Sequence, residues 1–89
     1  MSELNLSDLR KKIDETDDKI VELLLERFEV VKNIAEYKKA RGLEIFQQAR
    51  EAEVLQNISD KIDNPEYKEY ILKIYAEILE TSKLLQHKE

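Results

Sequence analysis

The chain has 89 residues, one histidine and no cysteine, which excludes disulfide bonds, thiolate zinc sites and cysteine nucleophiles and favours a single domain. Its 20 acidic residues outnumber its 15 basic ones, and the net charge of −5 argues against nucleic acid as a partner. No apolar run approaches the roughly 20 residues that span a bilayer, and the first residues do not resemble a signal peptide. We therefore expect a soluble, cytoplasmic protein with no membrane partner.

Helix is the expected structure throughout, because the chain has one Gly, one Pro and many strong helix formers. Gly42 follows a basic run, which is typical of a helix C-terminus. Asn64 and Pro65 are typical of an N-cap and a first helical residue. The predicted helices cover about residues 7–41, 47–61 and 65–86. The prediction is an all-α fold in which residues 1–89 form one domain and residues 1–6 an N-terminal tail.

The first predicted helix is about three times the usual length of 11–12 residues. Its apolar residues recur at the three-to-four spacing of one buried face: Leu6, Leu9, Ile13, Ile20, Leu23, Leu24, Val30, Val31 and Ile34. Two shorter helices cannot cover such a helix, so we expect a second copy of the chain to complete the core as an intertwined homodimer. A plain coiled-coil dimer, serving as a non-enzymatic dimerisation module, explains the apolar face equally well.

Polar residues interrupt the apolar faces of all three helices. They are Arg27 and Lys38 on the first helix, Gln47, Arg50 and Glu51 on the second, and Ser82 and Gln86 on the third. Burying an unpaired charge is costly, so such groups need partners. Taken singly, Arg27 could pair with a nearby Glu and Lys38 with the helix dipole. Their joint occurrence, with three cations to one carboxylate, favours a pocket for a small hydroxylated carboxylic acid.

Five segments, on all three predicted helices, carry a family pattern in this order along the chain. They read Leu9-Arg10-Lys11-Lys12-Ile13-Asp14 with Leu23-Leu24-Leu25-Glu26-Arg27 and Ile34-Ala35-Glu36-Tyr37-Lys38, then Gln47-Gln48-Ala49-Arg50-Glu51, then Glu80-Thr81-Ser82-Lys83-Leu84-Leu85-Gln86. They resemble the first helix, the second-helix motif and the third-helix ending of the all-helical chorismate mutases. The resemblance implies a rearrangement of chorismate to prephenate in aromatic amino-acid biosynthesis, with no cofactor and no metal.

The resemblance implies catalytic roles for Arg27, Lys38 and Gln86. Arg10 and Arg27 would bind the two carboxylates of chorismate, whereas Lys38 and Gln86 would donate hydrogen bonds to the ether oxygen of the breaking C–O bond. Arg10 lies about 40 Å from Lys38 along one helix, so a chorismate-sized molecule cannot touch both. Arg10 would therefore serve the site of the partner protomer. Without the resemblance, the sequence would indicate only that Arg10 is an arginine in the first turn of the helix that is exposed to solvent.

The resemblance implies substrate binding by four further residues. Glu51 would accept a hydrogen bond from the ring hydroxyl, helped by the backbone or side chain of Gln47. Ser82 and Arg50 would support the ring carboxylate, Arg50 through water. Relatives often carry Asp where this chain has Gln47, and a backbone contact would survive that change. The alternative enzyme is isochorismate pyruvate lyase, which has the same fold and a similar cationic pocket.

Overall fold

The computed structural model describes residues 5–88, which form three helices and no strand. The helices are α1 (Leu6–Arg41), α2 (Gln48–Asp60) and α3 (Pro65–Lys88). The predicted all-α fold, with a long first helix and two shorter ones, is confirmed. Within the described range, none of the helices combines the length and the hydrophobicity that crossing a bilayer requires.

α1 begins earlier than predicted because Asn5 caps it. The side-chain Oδ1 of Asn5 accepts a hydrogen bond from the Asp8 N–H at 2.8 Å, and the Asn5 carbonyl accepts one from the Leu9 N–H at 3.1 Å. The cap satisfies one of the N–H groups that every helix start leaves without a helical partner. Leu6, which was predicted to lie in the N-terminal tail, is therefore the first residue of α1. Residues 1–4 of that tail lie outside the described residues.

α1 ends in a Schellman turn at Gly42, as the glycine predicted. The Gly42 N–H donates to the Lys39 carbonyl at 3.3 Å, and the Leu43 N–H donates to the Lys38 carbonyl at 2.9 Å. Gly42 has a φ of 65°, in the left-handed region that a residue with a Cβ avoids. The turn ends the helix at Arg41, three residues after Lys38, and starts the connection to α2.

We expect Gly42→Ala to lower the free energy of unfolding by about 1 kcal/mol, because alanine would have to hold a left-handed φ. The cost is conformational, since no atom lies within 4 Å of the added Cβ. Urea denaturation of the two proteins measures it. Gly42→Asn is the control and should lose less, because asparagine tolerates this conformation better. An alanine variant as stable as the wild type would contradict the role given to this turn.

The two shorter helices start differently. α3 begins at Pro65, as predicted, and the Asn64 side chain accepts a hydrogen bond from the Glu66 N–H at 2.9 Å. α2 follows Gln47, whose backbone is extended and whose side chain makes no capping hydrogen bond. α2 packs against α3. The first turn of α2 is thus held by backbone hydrogen bonds and by the packing of α2 against α3, whereas the first turn of α3 is capped by the side chain of Asn64.

The chain divides into two compact units, between Val30 and Val31. The second unit contains the end of α1 with α2 and α3, and its buried residues are Val31, Ala35, Leu79, Ser82 and Gln86. In the described part of the first unit no residue is buried. Most of its apolar side chains are exposed, with Ile13 at 61% and Leu23 at 63%. A stripe of large apolar side chains in water is the usual mark of a surface that binds another molecule.

Candidate active site

The second unit brings Lys38 and Gln86 together, 48 residues apart in the chain. Lys38 lies in the last turn of α1 and Gln86 in the last turn of α3. The Lys38 Nζ donates to the Gln86 Oε1 at 3.1 Å and to the carbonyl of Ile45 at 2.8 Å. The half-buried ammonium is therefore held between α3 and the connection that follows Gly42.

The neighbours of Gln86 fix the orientation of its amide. A lysine ammonium only donates, so the amide must present Oε1 to Lys38. Nε2 then points the other way and approaches the Ser82 carbonyl at 3.5 Å, the outer limit of a hydrogen bond. Gln86 is only 9% exposed. A buried N–H donor with so weak a partner is well suited to a ligand acceptor, since little is lost when it turns to the ligand.

The hydroxyl of Ser82 is turned towards its own helix. Ser82 is buried, and its Oγ donates to the Ile78 carbonyl one turn earlier at 2.8 Å. Serine often satisfies its hydroxyl in this way inside a helix. To support a ligand carboxylate, as the sequence predicts, the hydroxyl would have to leave Ile78 and donate to the ligand instead.

Glu51 faces α3 through an ion pair that the sequence analysis did not predict. The Lys83 Nζ lies 3.3 Å from the Glu51 Oε2 and 2.7 Å from the Glu80 Oε1. The hydrogen bond with Glu80 is the main cause that raises the pKa of Lys83 above its usual value, so the ammonium stays charged. The spacing of Glu80 and Lys83 suggests their pairing from sequence. The contact with Glu51 depends on how α2 packs against α3, which spacing alone does not give.

Two predicted residues at the start of α2 take no part in the contact between Lys38 and Gln86. Gln47 is exposed, and its carbonyl accepts hydrogen bonds from the backbone N–H groups of Arg50 and Glu51 at 3.0 and 3.1 Å. Arg50 is also exposed, and its guanidinium pairs with Glu53 one turn further along α2. The role of Gln47 in this structure is therefore a backbone role, and a ligand would have to draw Arg50 away from Glu53.

Arg10 and Arg27 belong to the first unit, where their surroundings differ. Arg10 is exposed. Within residues 5–30 only Leu24, Arg27 and Phe28 are partly covered, and they are spaced as neighbours on one face of α1. Arg27 thus lies on the most covered part of this unit, whereas Arg10 lies in solvent. The arginine predicted to interrupt an apolar face is partly buried there.

In the second unit, Lys38 and Gln86 provide hydrogen-bond donors and Glu51 provides an acceptor. This unit holds an ammonium and an oriented amide N–H, and Glu51 supplies a carboxylate that is tied to α3. Fixed donors in a partly buried site stabilise negative charge that develops on an oxygen atom. The donors suit a reaction in which an oxygen gains electron density, and Glu51 suits a ligand hydroxyl.

Comparison with known proteins places the chain in a family. The family model for chorismate mutase type II matches residues 9–87. The chain is 37% identical over 82 residues to the chorismate mutase of Methanocaldococcus jannaschii, covering 91% of this chain and 83% of that protein. It is 34% identical over 88 residues to the bifunctional chorismate mutase/prephenate dehydratase of Aquifex aeolicus, covering 93% of this chain and 24% of that protein. The chain therefore belongs to the chorismate mutase type II family, whose members are isomerases.

Proposed function

We propose that this chain rearranges chorismate to prephenate, a step in aromatic amino-acid biosynthesis, and that it uses no cofactor. The observation that carries the proposal is the hydrogen bond from Lys38 to Gln86, which brings two side chains that carry donors together within the segment that matches the family. The names of both relatives include chorismate mutase, which supports the same activity. In this proposal residues 1–89 act as one mutase domain in the cytoplasm.

The reaction is intramolecular, so the protein has no nucleophile to supply. One C–O bond breaks and one C–C bond forms in a single pericyclic step, with every atom of the substrate retained in the product. A catalyst can hold the flexible side chain of the substrate over its ring. It can also stabilise the negative charge that grows on the ether oxygen as the C–O bond breaks. The residues of this chain are proposed to do both.

Lys38 and Gln86 are the proposed donors to the ether oxygen. The ammonium of Lys38 carries three hydrogens, and its contacts with Ile45 and Gln86 use two of them. The third is available for the substrate. The Nε2 of Gln86 can exchange its long contact with Ser82 for a shorter one with the ether oxygen. The site gains more from the charged transition state than it gives up, which is the condition for raising kcat.

The remaining predicted residues are proposed to bind the rest of the substrate. Glu51 would accept a hydrogen bond from the ring hydroxyl, with the backbone of Gln47 nearby, directly before α2. Arg27 would bind one carboxylate. Ser82 and Arg50 would support the ring carboxylate once the substrate competes with their present partners.

The test of this function is turnover by the purified protein with chorismate alone. We expect loss of chorismate absorbance and formation of prephenate, with no cofactor or metal added. An assay with isochorismate that releases pyruvate would assign the chain to isochorismate pyruvate lyase instead. Failure to turn over either substrate at any protein concentration would contradict an enzymatic function and favour a helical dimerisation module.

We also propose that the working form is a homodimer in which Arg10 serves the partner's site. The exposed apolar side chains of the first unit support this, since a second copy offers a matching surface. Arg10 precedes Lys38 by most of the length of α1, and one substrate molecule is too small to reach from one to the other. A partner that lies alongside would bring its own Arg10 to the site.

Mixing two inactive variants tests this shared site. Arg10→Ala and Lys38→Ala should each be inactive alone and regain activity when mixed and allowed to exchange subunits. Half of the dimers become heterodimers in which one of the two sites carries neither substitution, so about a quarter of the wild-type activity should return. Exchange is verified by mass spectrometry with one variant isotope-labelled. Full exchange with no recovery would contradict the shared site.

We expect kcat/KM to vary by less than about threefold between pH 5 and 8, because the amide of Gln86 donates in the same form throughout this range. The raised pKa of Lys83 means that its ammonium also stays charged in this window, since a cation with a raised pKa loses its proton only at higher pH. Gln86→Glu is the control, because a carboxyl group donates only when neutral. Its activity should fall as the pH rises. A steep wild-type profile would contradict the proposed donors.

A further inference from the structure

Lys83 joins three parts of the second unit, although the proposed reaction has so far given it no role. Its Nζ contacts Glu51 on α2 at 3.3 Å and Glu80 on α3 at 2.7 Å, and it lies 4.5 Å from the centre of the Phe46 ring in the connection between α1 and α2. Only 21% of its side chain is exposed. An ammonium between two carboxylates and an aromatic face is held far more firmly than a surface lysine.

A second lysine on α3, Lys73, also pairs with a glutamate and lies near an aromatic ring, but it is exposed to solvent. Lys73 pairs with Glu69 at 3.8 Å and lies 6.0 Å from the ring of Tyr70. All three residues belong to α3, and the side chain of Lys73 is 70% exposed. These contacts of Lys73 therefore stay within one helix, and exposed ion pairs of this kind contribute little to stability. Lys73 is therefore a matched control for Lys83.

The contacts of Lys83 fix the carboxylate that is proposed to bind the substrate hydroxyl. Lys83 approaches Glu51 at Oε2, and a carboxylate has acceptor capacity on both oxygens, so Oε1 can accept from a ligand. The ammonium of Lys83 also lies close to Glu80, 2.7 Å from its Oε1. Without that ammonium, Glu51 and Glu80 would be two like charges close together, and the Glu51 side chain would turn away from α3.

We propose that Lys83 is a positioning residue for the chorismate hydroxyl, acting through Glu51 and not by touching the substrate. The assignment rests on the proposed function. It makes the start of α2 part of the binding site through a contact with α3, and the ring centre of Phe46 lies 4.5 Å from the same ammonium. The residue that orients the substrate ring is therefore itself oriented from the neighbouring helix.

The experiment measures kcat and KM for chorismate in Lys83→Met, Lys83→Arg and the control Lys73→Met. Lys83→Met should lower kcat/KM about tenfold, mainly through KM, because hydroxyl binding contributes before and during the reaction. Lys83→Arg keeps the charge and should restore most of the loss. Lys73→Met should match the wild type. Circular dichroism checks that each variant is helical, and Lys83→Gln replaces Lys83→Met if that variant does not fold.

A double-mutant cycle with Glu51→Gln separates positioning from a general structural role. If Lys83 acts through Glu51, then Lys83→Met should have no further effect on kcat/KM once Glu51 is Gln. Equal losses in both backgrounds, or full activity in Lys83→Met, would overturn the assignment while leaving the proposed function intact. A wild type that does not turn over chorismate would instead overturn the proposed function, and the assignment with it.

Discussion

Replacing Lys38 by Met is expected to lower kcat by about a thousandfold, the upper range for removing one preorganised donor from a site that stabilises an oxyanion. The substitution keeps an unbranched side chain, one atom shorter than lysine, and removes its charge. It also releases the Oε1 of Gln86, which Lys38 holds at 3.1 Å. The amide is then free to rotate, so its Nε2 is no longer fixed as the second donor. One substitution thus weakens both donors, and it should act on kcat more than on KM.

The neighbouring exposed lysine supplies the control for this result. Lys39→Met removes the same charge from the same turn of α1 and should leave kcat within about twofold of the wild type, because solvent and salt screen an exposed charge. Chorismate turnover at saturating substrate measures both variants. A Lys38→Met enzyme with an unchanged kcat and a raised KM would show that Lys38 binds the ground state only, contrary to the mechanism proposed.

Arg27→Ala is expected to lower kcat/KM by a hundredfold or more, within the 2–5 kcal/mol that truncating one partner of a buried charge pair typically costs. Arg27 lies on the partly covered face of α1 with Leu24 and Phe28. A guanidinium in such a place can bind a carboxylate through two parallel hydrogen bonds. Without it the carboxylate of the substrate is left unpaired. Arg27→Lys keeps the charge but loses the planar fork, so its activity should be intermediate.

Arg41→Ala is the matched control for Arg27→Ala. Arg41 is an exposed arginine at the end of the same helix, and its guanidinium lies 3.6 Å from the centre of the Tyr37 ring. Its removal should leave kcat/KM unchanged within about twofold. Steady-state kinetics and thermal melts are measured on each protein. An Arg27→Ala variant that is less stable but fully active would make Arg27 a structural cation and contradict its role in binding.

The ends of the helices could be predicted from sequence where they depend on neighbouring residues. Gly42 predicted the end of α1, and Asn64 with Pro65 predicted the start of α3, because a turn or a cap is completed within a few residues. Asn5 was missed as the cap of α1, although the spacing of Asn5 and Asp8 carried the signal. The pairing of Arg50 with Glu53 could also have been predicted, since the two are three residues apart on a helix.

Contacts between helices could be predicted only in part. The interrupted apolar faces predicted that Lys38 and Gln86 point inwards, and the family resemblance predicted a shared acceptor. The structure shows in addition that Lys38 orients the amide of Gln86, through their hydrogen bond of 3.1 Å. A role for Lys83 in the site could not have been predicted, because a lysine three residues after a glutamate is common on helix surfaces. Its contact with Glu51 follows from the packing of α2 against α3, which the spacing of residues does not determine.

The attachment of Lys38 at both of its ends has an entropic consequence. Its carbonyl accepts the hydrogen bond that closes the turn after Gly42, and its ammonium donates to Ile45 and Gln86. Ordering a lysine side chain costs roughly 1.5–2 kcal/mol in lost rotamer freedom. Here that loss occurs when the chain folds, before any ligand arrives. The substrate therefore binds to a Lys38 side chain that is already ordered. The entropic cost of ordering it lowers the stability of the fold and does not lower the affinity for the ligand.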